Sequence, residues 1–461
     1  MSIDTFPQSL NTLDQDRIKR YRENLDFYNG NQWPSTNRRE RQLTFNYVKT
    51  FVEKITSYLM SGITPSIIPL DSSEAETERA RKAEVALTAA YEQNSLDLLD
   101  FDTEIDCSIL GDAAYKVTWD SKEKRVRVTA PDVQGIFVWW RGDDMSTIYR
   151  LASRYTLTSD EVQTIYHIVP AAKTATIVED WTDKQFILYL DNEALIKSRN
   201  PYGFIPFVVY PNLREPKSFW GVSDLIPLLE PQRELNRSMS QLSRILELSG
   251  NPIAVLENVE ESEDIAVKPG AVWNLPEGAR AYLLDLLKGG GVRLHLNYID
   301  LIYRTMHDLS EAPRAAFGGT DRDLSGTALQ IELQSLIQKV IRKRLIRSAA
   351  YRRRNDMILR LLDAKTTTNF KGLSTRVVWS PVLPQDLLRL AQTEQLLVNT
   401  GLHSRNRAMT ELTILNPQDE LKRIVEERKL LAAGASDGRT PDTPGRTKAS
   451  AALPGDGGFE P

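Results

Sequence analysis

Two helix-length segments of equal size, separated by a short insert, constrain the fold of this chain more than any other feature. Each segment, 232–249 and 292–309, contains 18 residues and would span about 27 Å as a helix. The insert at 251–291 has 41 residues, which are too few for a large domain. We therefore expect an antiparallel helix pair with a small head at its far end. The helical period rests on these apolar positions: Leu235, Met239, Leu242 and Leu246, then Ile299, Ile302, Met306 and Leu309.

The sequence of the insert mixes two kinds of pattern. Short apolar runs at 253–256 and 271–273 predict strands, and a helical piece is expected near 282–287.

The first 221 residues combine helical and strand patterns. Apolar residues recur at helical spacing through the first 110 residues, and Gly30, Gly62 and Gly111 follow three of these stretches. Strand-like alternation then begins at 115–119 and 125–129. Further strands are predicted at 136–140, 186–190 and 204–210. This part of the chain is predicted to be one α+β domain, in a protein that is mostly helical.

The region after the helix pair begins with a glycine-containing link at 313–325 and continues as the longest helical pattern, 326–363. That helix would reach about 57 Å if unbroken. A strand is predicted at 375–379 and three short helices at 385–433, with Asn416-Pro417 separating the last two. The final residues, 434–461, include ten glycines or prolines and are expected to be disordered and dispensable for assembly.

Composition narrows the class of protein. The net charge of −4 does not indicate a nucleic-acid-binding protein, and the single Cys107 excludes a disulfide scaffold. The N-terminal residues lack the apolar stretch of a secretory signal, and no apolar run is long enough to cross a membrane. We expect a soluble protein that needs no oxidising compartment.

The motifs of common enzyme classes are absent from the sequence. No Gly-Lys dipeptide exists for a P-loop and no G-x-S-x-G for a nucleophile elbow. Acidic pairs such as Asp143-Asp144 could bind Mg²⁺, although such pairs are more typical of solvated turns. The sequence favours a protein without catalytic residues, metal or cofactor; a metal-dependent DNA-processing enzyme such as a nuclease is the alternative. The histidines show no metal-binding spacing: His167, His295, His307 and His403.

Charge is strongly segregated along the chain. Residues 71–106 contain eleven acidic and three basic residues, whereas 338–360 contain nine basic residues and one acidic residue. The basic helix is predicted to make a salt-sensitive contact, with DNA or, as we favour, with an acidic stretch of a neighbouring subunit such as 71–106. A solvated face is the third possibility. Its bases are Lys339, Arg342, Lys343, Arg344, Arg347, Arg352, Arg353, Arg354 and Arg360.

The order of these elements, together with local motifs, resembles the portal proteins of tailed double-stranded DNA bacteriophages. The resemblance covers roughly 27–430, and the order and spacing of the motifs make it specific. The matching stretches are Phe27-Tyr-Asn-Gly-Asn-Gln-Trp33, Asn46-Tyr-Val, Tyr58-Leu-Met-Ser-Gly62, Asn200-Pro-Tyr-Gly-Phe-Ile-Pro206, Gly221-Val-Ser-Asp-Leu225, Leu235-Asn236, Ser249-Gly-Asn-Pro252, Ser325-Gly-Thr-Ala-Leu329, Trp379-Ser-Pro381 and Pro384-x-Asp386.

The resemblance implies a portal fold and assigns each region a family name. The wing would comprise 1–221 and 326–380, the stem 222–250 and 292–312, the clip 251–291, the tunnel loop 313–325 and the crown 381–433, with 434–461 as a tail outside the match. It also implies a ring, with twelve subunits in the virion, at one capsid vertex. A different ring-forming head-to-tail connector is disfavoured, because connectors are usually shorter.

The same resemblance implies the partners. Double-stranded DNA would pass through the ring without sequence specificity during packaging and ejection. The terminase motor, which supplies the ATPase, would dock on the clip and be replaced by a head-completion or connector protein; major capsid and scaffolding proteins would surround the ring. The protein would assemble in the cytoplasm of the host bacterium and reside in the virion. The clip residues implied in docking are acidic: Glu257, Glu260, Glu261, Glu263 and Asp264.

The loop at 313–325 is predicted to form the narrowest point of the channel. Pro313 would end the preceding helix, and Gly318-Gly319 would let the backbone turn. Phe317 either faces the channel or packs under the wing, and the sequence does not choose between them. The charges of the loop sum to zero, which would make it polar without strong attraction for phosphate: Arg314, Asp321, Arg322 and Asp323.

Overall fold

A computed structural model describes most of the chain. The described residues are 6–34, 42–71, 73–250, 254–257, 278, 280–283, 291–319, 326–383, 387–412, 414 and 417–436. The chain divides into two compact units, Met1–Leu383 and Pro384–Pro461. None of the helices in the described ranges is long and apolar enough to cross a membrane.

The first unit contains ten helices and fourteen strands among its described residues. The helices are α1 (Phe6–Ser9), α2 (Gln15–Tyr28), α3 (Tyr47–Leu59), α4 (Glu74–Gln93), α5 (Leu96–Leu110), α6 (Ser159–Tyr166), α7 (Leu229–Gly250), α8 (Gly291–Ser310), α9 (Gly326–Glu332) and α10 (Gln334–Lys365). The strands are β1 (Ile63–Ile68), β2 (Asp112–Asp120), β3 (Arg125–Thr129), β4 (Ile136–Arg141), β5 (Asp144–Thr158), β6 (Thr174–Thr182), β7 (Gln185–Leu190), β8 (Glu193–Arg199), β9 (Phe207–Pro211), β10 (Leu213–Arg214), β11 (Gly221–Val222), β12 (Ala254–Glu257), β13 (Arg280–Leu283) and β14 (Ser374–Trp379).

The body of this unit is built on two antiparallel sheets. Strands β4 to β8 form a meander in chain order, and β2 lies between β3 and β9. Strand β1 pairs with β14 from Ile63–Trp379 to Ile68–Ser374, which brings the segment after α10 back to the start of the body. This architecture confirms the predicted α+β class, and every strand predicted before residue 221 is present. The sequence patterns do not predict β1, β5, β6, β8, β10 or β11.

Helices α2, α3 and α5 supply the core with the apolar faces that the sequence predicts. The side chain of Asn46 caps α3 by accepting a hydrogen bond from Lys49 N at 3.4 Å. Val48, Val52 and Ile55 are at most 1% exposed. Burial of each such aliphatic side chain stabilises the fold by about 1.5–3 kcal/mol.

The antiparallel helix pair is confirmed. Helix α7 begins three residues before the predicted segment and ends one residue after it, and α8 exceeds its segment by one residue at each end. His295 on α8 hydrogen-bonds Ser238 O on α7 at 2.8 Å, and one turn further toward the body Tyr298 Oη donates to Glu234 at 3.3 Å. Because these contacts move forward along α8 as they move backward along α7, the two helices run in opposite directions.

The head at the end of the helix pair contains a β-hairpin. Strand β12 pairs with β13 from Ala254–Leu283 to Glu257–Arg280, which confirms a strand near 253–256. The helix expected near 282–287 is wrong at Tyr282 and Leu283, because both belong to β13. The strand predicted at 271–273 lies outside the described residues.

The long helical pattern at 326–363 is interrupted once. Leu333, with φ −80° and ψ 0°, separates α9 from α10. Leu333 N still donates to Leu329 O and Ile337 N to Leu333 O, both at 3.0 Å, so the interruption is local. The 32 residues of α10 span about 48 Å, and the predicted unbroken helix of 57 Å is not observed.

The second unit contains three helices within 387–436, as predicted: α11 (Leu387–Asn399), α12 (Arg405–Glu411) and α13 (Pro417–Ser436). The side chain of Ser404 caps α12 by accepting from Arg407 N at 3.2 Å. The tail was expected to begin at 434, but 434–436 belong to α13. The remainder of the predicted tail lies outside the described residues.

Candidate functional site at the root of the helix pair

The basic helix α10 turns most of its charge into the body. Lys343, Arg347 and Arg354 are each 0% exposed. The expectation of a solvated, DNA-contacting or intersubunit face is therefore wrong for the buried bases, which are Lys339, Lys343, Arg344, Arg347 and Arg354. The bases that remain exposed are Arg342, Arg352, Arg353 and Arg360.

Arg347 forms a bidentate ion pair with Glu104 of α5. Its Nε and Nη2 atoms each lie 2.7 Å from a carboxylate oxygen of Glu104, and Nη2 also donates to Asn212 Oδ1 at 2.8 Å. Burial disfavours the charged guanidinium, but Glu104 outweighs it and raises the pKa of Arg347 well above its usual value. Paired geometry of this kind is what makes a buried charge tolerable.

Arg354 makes the equivalent contact one α5 turn away. It donates to both carboxylate oxygens of Asp100, which also accepts a hydrogen bond from Tyr115 Oη at 2.7 Å. The guanidinium carbon lies 4.6–5.2 Å from the ring centroids of Tyr91, Tyr115 and Tyr351. The predicted attraction between 338–360 and the acidic stretch 71–106 is thus present, but within one chain.

Lys339 and Lys343 attach both roots of the helix pair to α10. Both ammonium groups contact Asp224, which lies just before α7. Lys339 Nζ also donates to Ser310 O, at the end of α8, at 2.9 Å. Burial opposes ionisation of Asp224, yet the two ammonium groups together hold its pKa below the usual value. We call Asp224, Lys339, Lys343 and Ser310 the root clamp.

The loop that follows α8 begins packed against the body. Phe317 contacts the rings of Phe51 and His307, each at a centroid distance of 5.3 Å. In the subunit, Phe317 is half-buried on the main core, so the expectation that it faces a channel is not supported and the packing alternative holds. Gly318 turns the chain with φ +81°, and both Gly318 and Gly319 are exposed.

His307 fixes the end of α8 from inside this aromatic cluster. Its Nδ1 atom lies 2.6 Å from Ala312 O and therefore carries the proton that it donates to that carbonyl. Burial lowers the pKa of His307, which keeps the imidazole neutral near pH 7. Arg314 lies over the ring of Tyr303 at 5.8 Å. The other charged loop residues named from sequence, Asp321, Arg322 and Asp323, lie outside the described residues.

Asp112 is a second buried carboxylate near the start of the helix pair. It accepts hydrogen bonds from Tyr21 Oη at 2.5 Å and Gly221 N at 2.8 Å. Burial raises its pKa to about 7, against the effect of these two donors. Gly221 can approach because it has no side chain: a Cβ there would lie 2.5 Å from Gly111 O.

The head supplies one of the acidic residues expected in docking. Glu257 ends β12, is exposed, and accepts a hydrogen bond from Tyr282 Oη at 3.2 Å. The other four, Glu260, Glu261, Glu263 and Asp264, lie outside the described residues.

The helix pair leaves an apolar surface uncovered in the single chain. Three leucines of α8 are strongly exposed: Leu294 at 71%, Leu301 at 60% and Leu296 at 50%. Leu246 of α7 is 52% exposed. Leu294 and Leu301, seven residues apart, share one face of α8, and exposed apolar surface of this kind is typical of an interaction site rather than of a solvated helix.

Across the described part of the chain, no group of three or more His, Cys, Asp or Glu side chains could hold a metal ion. Cys107 is buried, and burial raises the pKa of its thiol well above the usual value.

A comparison with protein families matches residues 9–430 to "Phage portal protein, SPP1 Gp6-like". The chain belongs to this family. The match spans both units and nearly the whole chain, which confirms the resemblance drawn from the sequence motifs. Membership makes the chain a component of the phage virion that assembles as an oligomer, in a family that is generally structural rather than enzymatic. A comparison with curated proteins finds no match.

Two features of the site were missed by sequence reasoning. Asp224 was assigned only to a motif, and Asp100 and Glu104 were assigned to a partner subunit's surface. A signal was available, because Asp100 and Glu104 are four residues apart and so share one face of α5. Lys343, Arg347 and Arg354, at steps of four and seven, share one face of α10 in the same way.

Proposed function

We propose that this protein forms the ring-shaped channel at one vertex of the phage capsid, through which double-stranded DNA is packaged and ejected. The body would be the wing, and α7 with α8 the stem. The hairpin β12–β13 would belong to the clip, the loop at 313–325 to the tunnel loop, and the second unit to the crown.

The observation that supports this proposal is the uncovered apolar surface of α7 and α8. Each helix buries one face against its partner, but Leu294, Leu301 and Leu246 remain exposed. In a ring, the neighbouring helix pair on each side would cover them. A head-to-tail arrangement of this kind closes into a ring when the rotation between subunits divides a full turn.

One end of the helix pair is fixed to the body and the other is exposed, as the proposed channel would require. The root clamp fixes the pair to the body, and the hairpin at the far end is free to present Glu257 to a partner. We propose that the terminase and then a connector protein dock at this end, while capsid and scaffolding proteins contact the body. Passing DNA would be bound weakly, because most of the basic side chains in 338–360 pair with acidic groups of the same subunit.

The experiment is imaging of purified protein by negative-stain electron microscopy, together with native mass spectrometry. We expect rings of about twelve subunits for the natural chain. Leu301→Glu places a charge in the proposed stem interface and should convert rings to smaller species. Val169→Glu is the matched control, since Val169 is 71% exposed in the body and should leave rings intact. A chain that stays monomeric at all concentrations would contradict the proposal.

A catalytic role is tested with the same material. We expect the purified ring to leave linear and circular DNA uncut in the presence of Mg²⁺. Cleavage that disappears with chelator would instead support the metal-dependent enzyme.

A further inference from the structure

A cavity of about 790 Å³ lies at the C-terminal end of α10, on the side of the loop that leads to β14. Its floor is apolar and includes Leu359, Phe370 and Leu373, all buried. Its basic lining residues, Arg353, Arg360 and Lys371, are exposed. The cavity therefore combines apolar depth with a positive rim.

No ion pair of the described residues includes Arg353, Arg360 or Lys371. Burial raises the pKa of Asp356, and the positive charge of Arg360 acts against that rise, so the three bases outnumber the two acids of the lining by one without being isolated from them. Both acids also accept hydrogen bonds. Asp356 accepts a hydrogen bond from Thr375 at 2.8 Å, and Asp363 from Phe370 N at 2.7 Å.

The excess positive charge extends beyond the cavity. Partial burial of its guanidinium lowers the pKa of Arg353, and the neighbouring guanidinium groups of Arg214 and Arg352 lower it further. Neighbouring positive charges repel each other, and an acidic partner would relieve that repulsion.

The opposite kind of surface lies on α5. Leu98, Asp102 and Asp106 follow one another at intervals of four residues and so form one stripe of the helix. Leu98 is 64% exposed, Asp102 is exposed, and no ion pair of the described residues includes either aspartate. Partial burial raises the pKa of Asp106, and the nearby carboxylates of Asp132 and Asp102 add to the effect.

These two surfaces lie on opposite sides of the contact between α5 and α10. Asp100 and Arg354 face each other in the interior. At 100° per residue, Leu98 and Asp102 lie about 200° from Asp100 on α5, so they point away from α10. Asp356 and Asp363 lie about 180–200° from Arg354, so the cavity opens away from α5.

We propose that the cavity at the end of α10 receives the Leu98–Asp102–Asp106 stripe of a second copy of this chain. Leu98 enters above the apolar floor, and Asp102 and Asp106 face the rim arginines. Two different, complementary surfaces on opposite sides of one subunit are what a closed head-to-tail ring requires. This contact rests on the proposed ring and adds to it an interface in the body, separate from the helix pair.

DNA fits the cavity less well than a second copy. The apolar floor offers nothing to a sugar-phosphate backbone, whereas it suits the exposed side chain of Leu98.

The test reverses the rim charge and then restores complementarity. The variant Arg353→Glu with Arg360→Glu should raise the subunit concentration at which half the chains are in rings by about tenfold or more, measured by native mass spectrometry. Adding Asp102→Lys and Asp106→Lys to the same chain should bring that concentration back toward the natural value. Lys197→Glu on β8, which is exposed and belongs to the five-stranded sheet, should leave it unchanged.

The outcomes separate the interface from the ring itself. Rings in the natural chain that persist unchanged in the reversed variant overturn the interface and leave the proposed function standing. A natural chain that never forms rings overturns the proposed function. Weaker DNA retention with unchanged rings would assign the cavity to DNA and overturn the interface. If the melting temperature of the reversed variant falls, the neutral variant Arg353→Gln with Arg360→Gln is used instead. The interface then requires a smaller increase in the subunit concentration at which half the chains are in rings.

Discussion

The buried pair of Arg347 and Glu104 should dominate the stability of the body. Replacing Arg347 with Met removes two 2.7 Å hydrogen bonds to Glu104 and leaves that carboxylate buried with Lys343 Nζ and Ser108 Oγ, each at 3.4 Å. Loss of one partner of a buried pair costs about 3–5 kcal/mol. Because Lys343 remains, we expect a loss near the lower end, about 3 kcal/mol in the free energy of unfolding.

The control for this variant lies on the same helix. Arg352→Met changes the same chemical group, but Arg352 is exposed and forms no ion pair with a described residue. We expect its effect to stay within about 0.5 kcal/mol. Unfolding in urea, followed by tryptophan fluorescence at one fixed protein concentration, compares the two, since the stability of an oligomer depends on concentration.

A double-mutant cycle then isolates the pair. Glu104→Gln combined with Arg347→Met should lose less than the sum of the single variants, by about 2 kcal/mol, because the second change removes the stranded charge. Equal losses for Arg347→Met and Arg352→Met, or strict additivity in the cycle, would refute the reasoning that burial and pairing set the stability here.

Three further predictions follow from other contacts. Burial raises the pKa of Asp112 to about 7, so between pH 4 and 7 the folded chain binds a proton that the unfolded chain has lost. The free energy of unfolding should therefore fall by about 1.4 kcal/mol for each pH unit of increase in this range. Asp112→Asn should flatten this slope when unfolding is measured against pH, and an unchanged slope would assign it to other groups. Phe317→Ala should remove about 2 kcal/mol of packing against Phe51 and His307 and reduce hydrogen-exchange protection of 310–319, whereas unchanged protection would mean that the ring contributes no packing. Truncation after Ser436, where α13 ends, should leave rings intact in electron micrographs, and loss of rings would give the removed residues a part in assembly.

Much of the fold could be predicted because it depends on local periodicity. Val48, Val52 and Ile55 recur at helical spacing, and burial follows from that spacing alone. The antiparallel direction of α7 and α8 followed from their equal lengths and the short insert. Tyr282 and Leu283 were assigned wrongly because a short apolar run is compatible with either a strand or a buried helix.

The site was harder to predict because its partners are far apart in sequence. Arg347 and Glu104 are separated by 243 residues, and nothing in a charge count distinguishes a buried base from an exposed one. The prediction of a solvated or intersubunit basic face assumed that arginine and lysine stay at the surface, which usually holds. Here the carboxylates of α5 offset the desolvation of the bases, and only the fold brings them together. The same limit applies to Phe317, whose packing depends on Phe51, remote in the chain.

The root clamp has a mechanical consequence. A single ammonium group, that of Lys339, contacts the segment before α7 and the last turn of α8. Further along α7, Asn236 and Ser240 accept hydrogen bonds from Phe45 N and Leu43 N of the body. A rod held in this way behaves as a cantilever about 15 Å long, judged from the ten residues of α7 beyond Ser240. The deflection of a cantilever under a sideways force grows with the cube of its length. A push from a docked partner would therefore move the hairpin end far more than the root. The root clamp would transmit the force to α10 mainly as a torque.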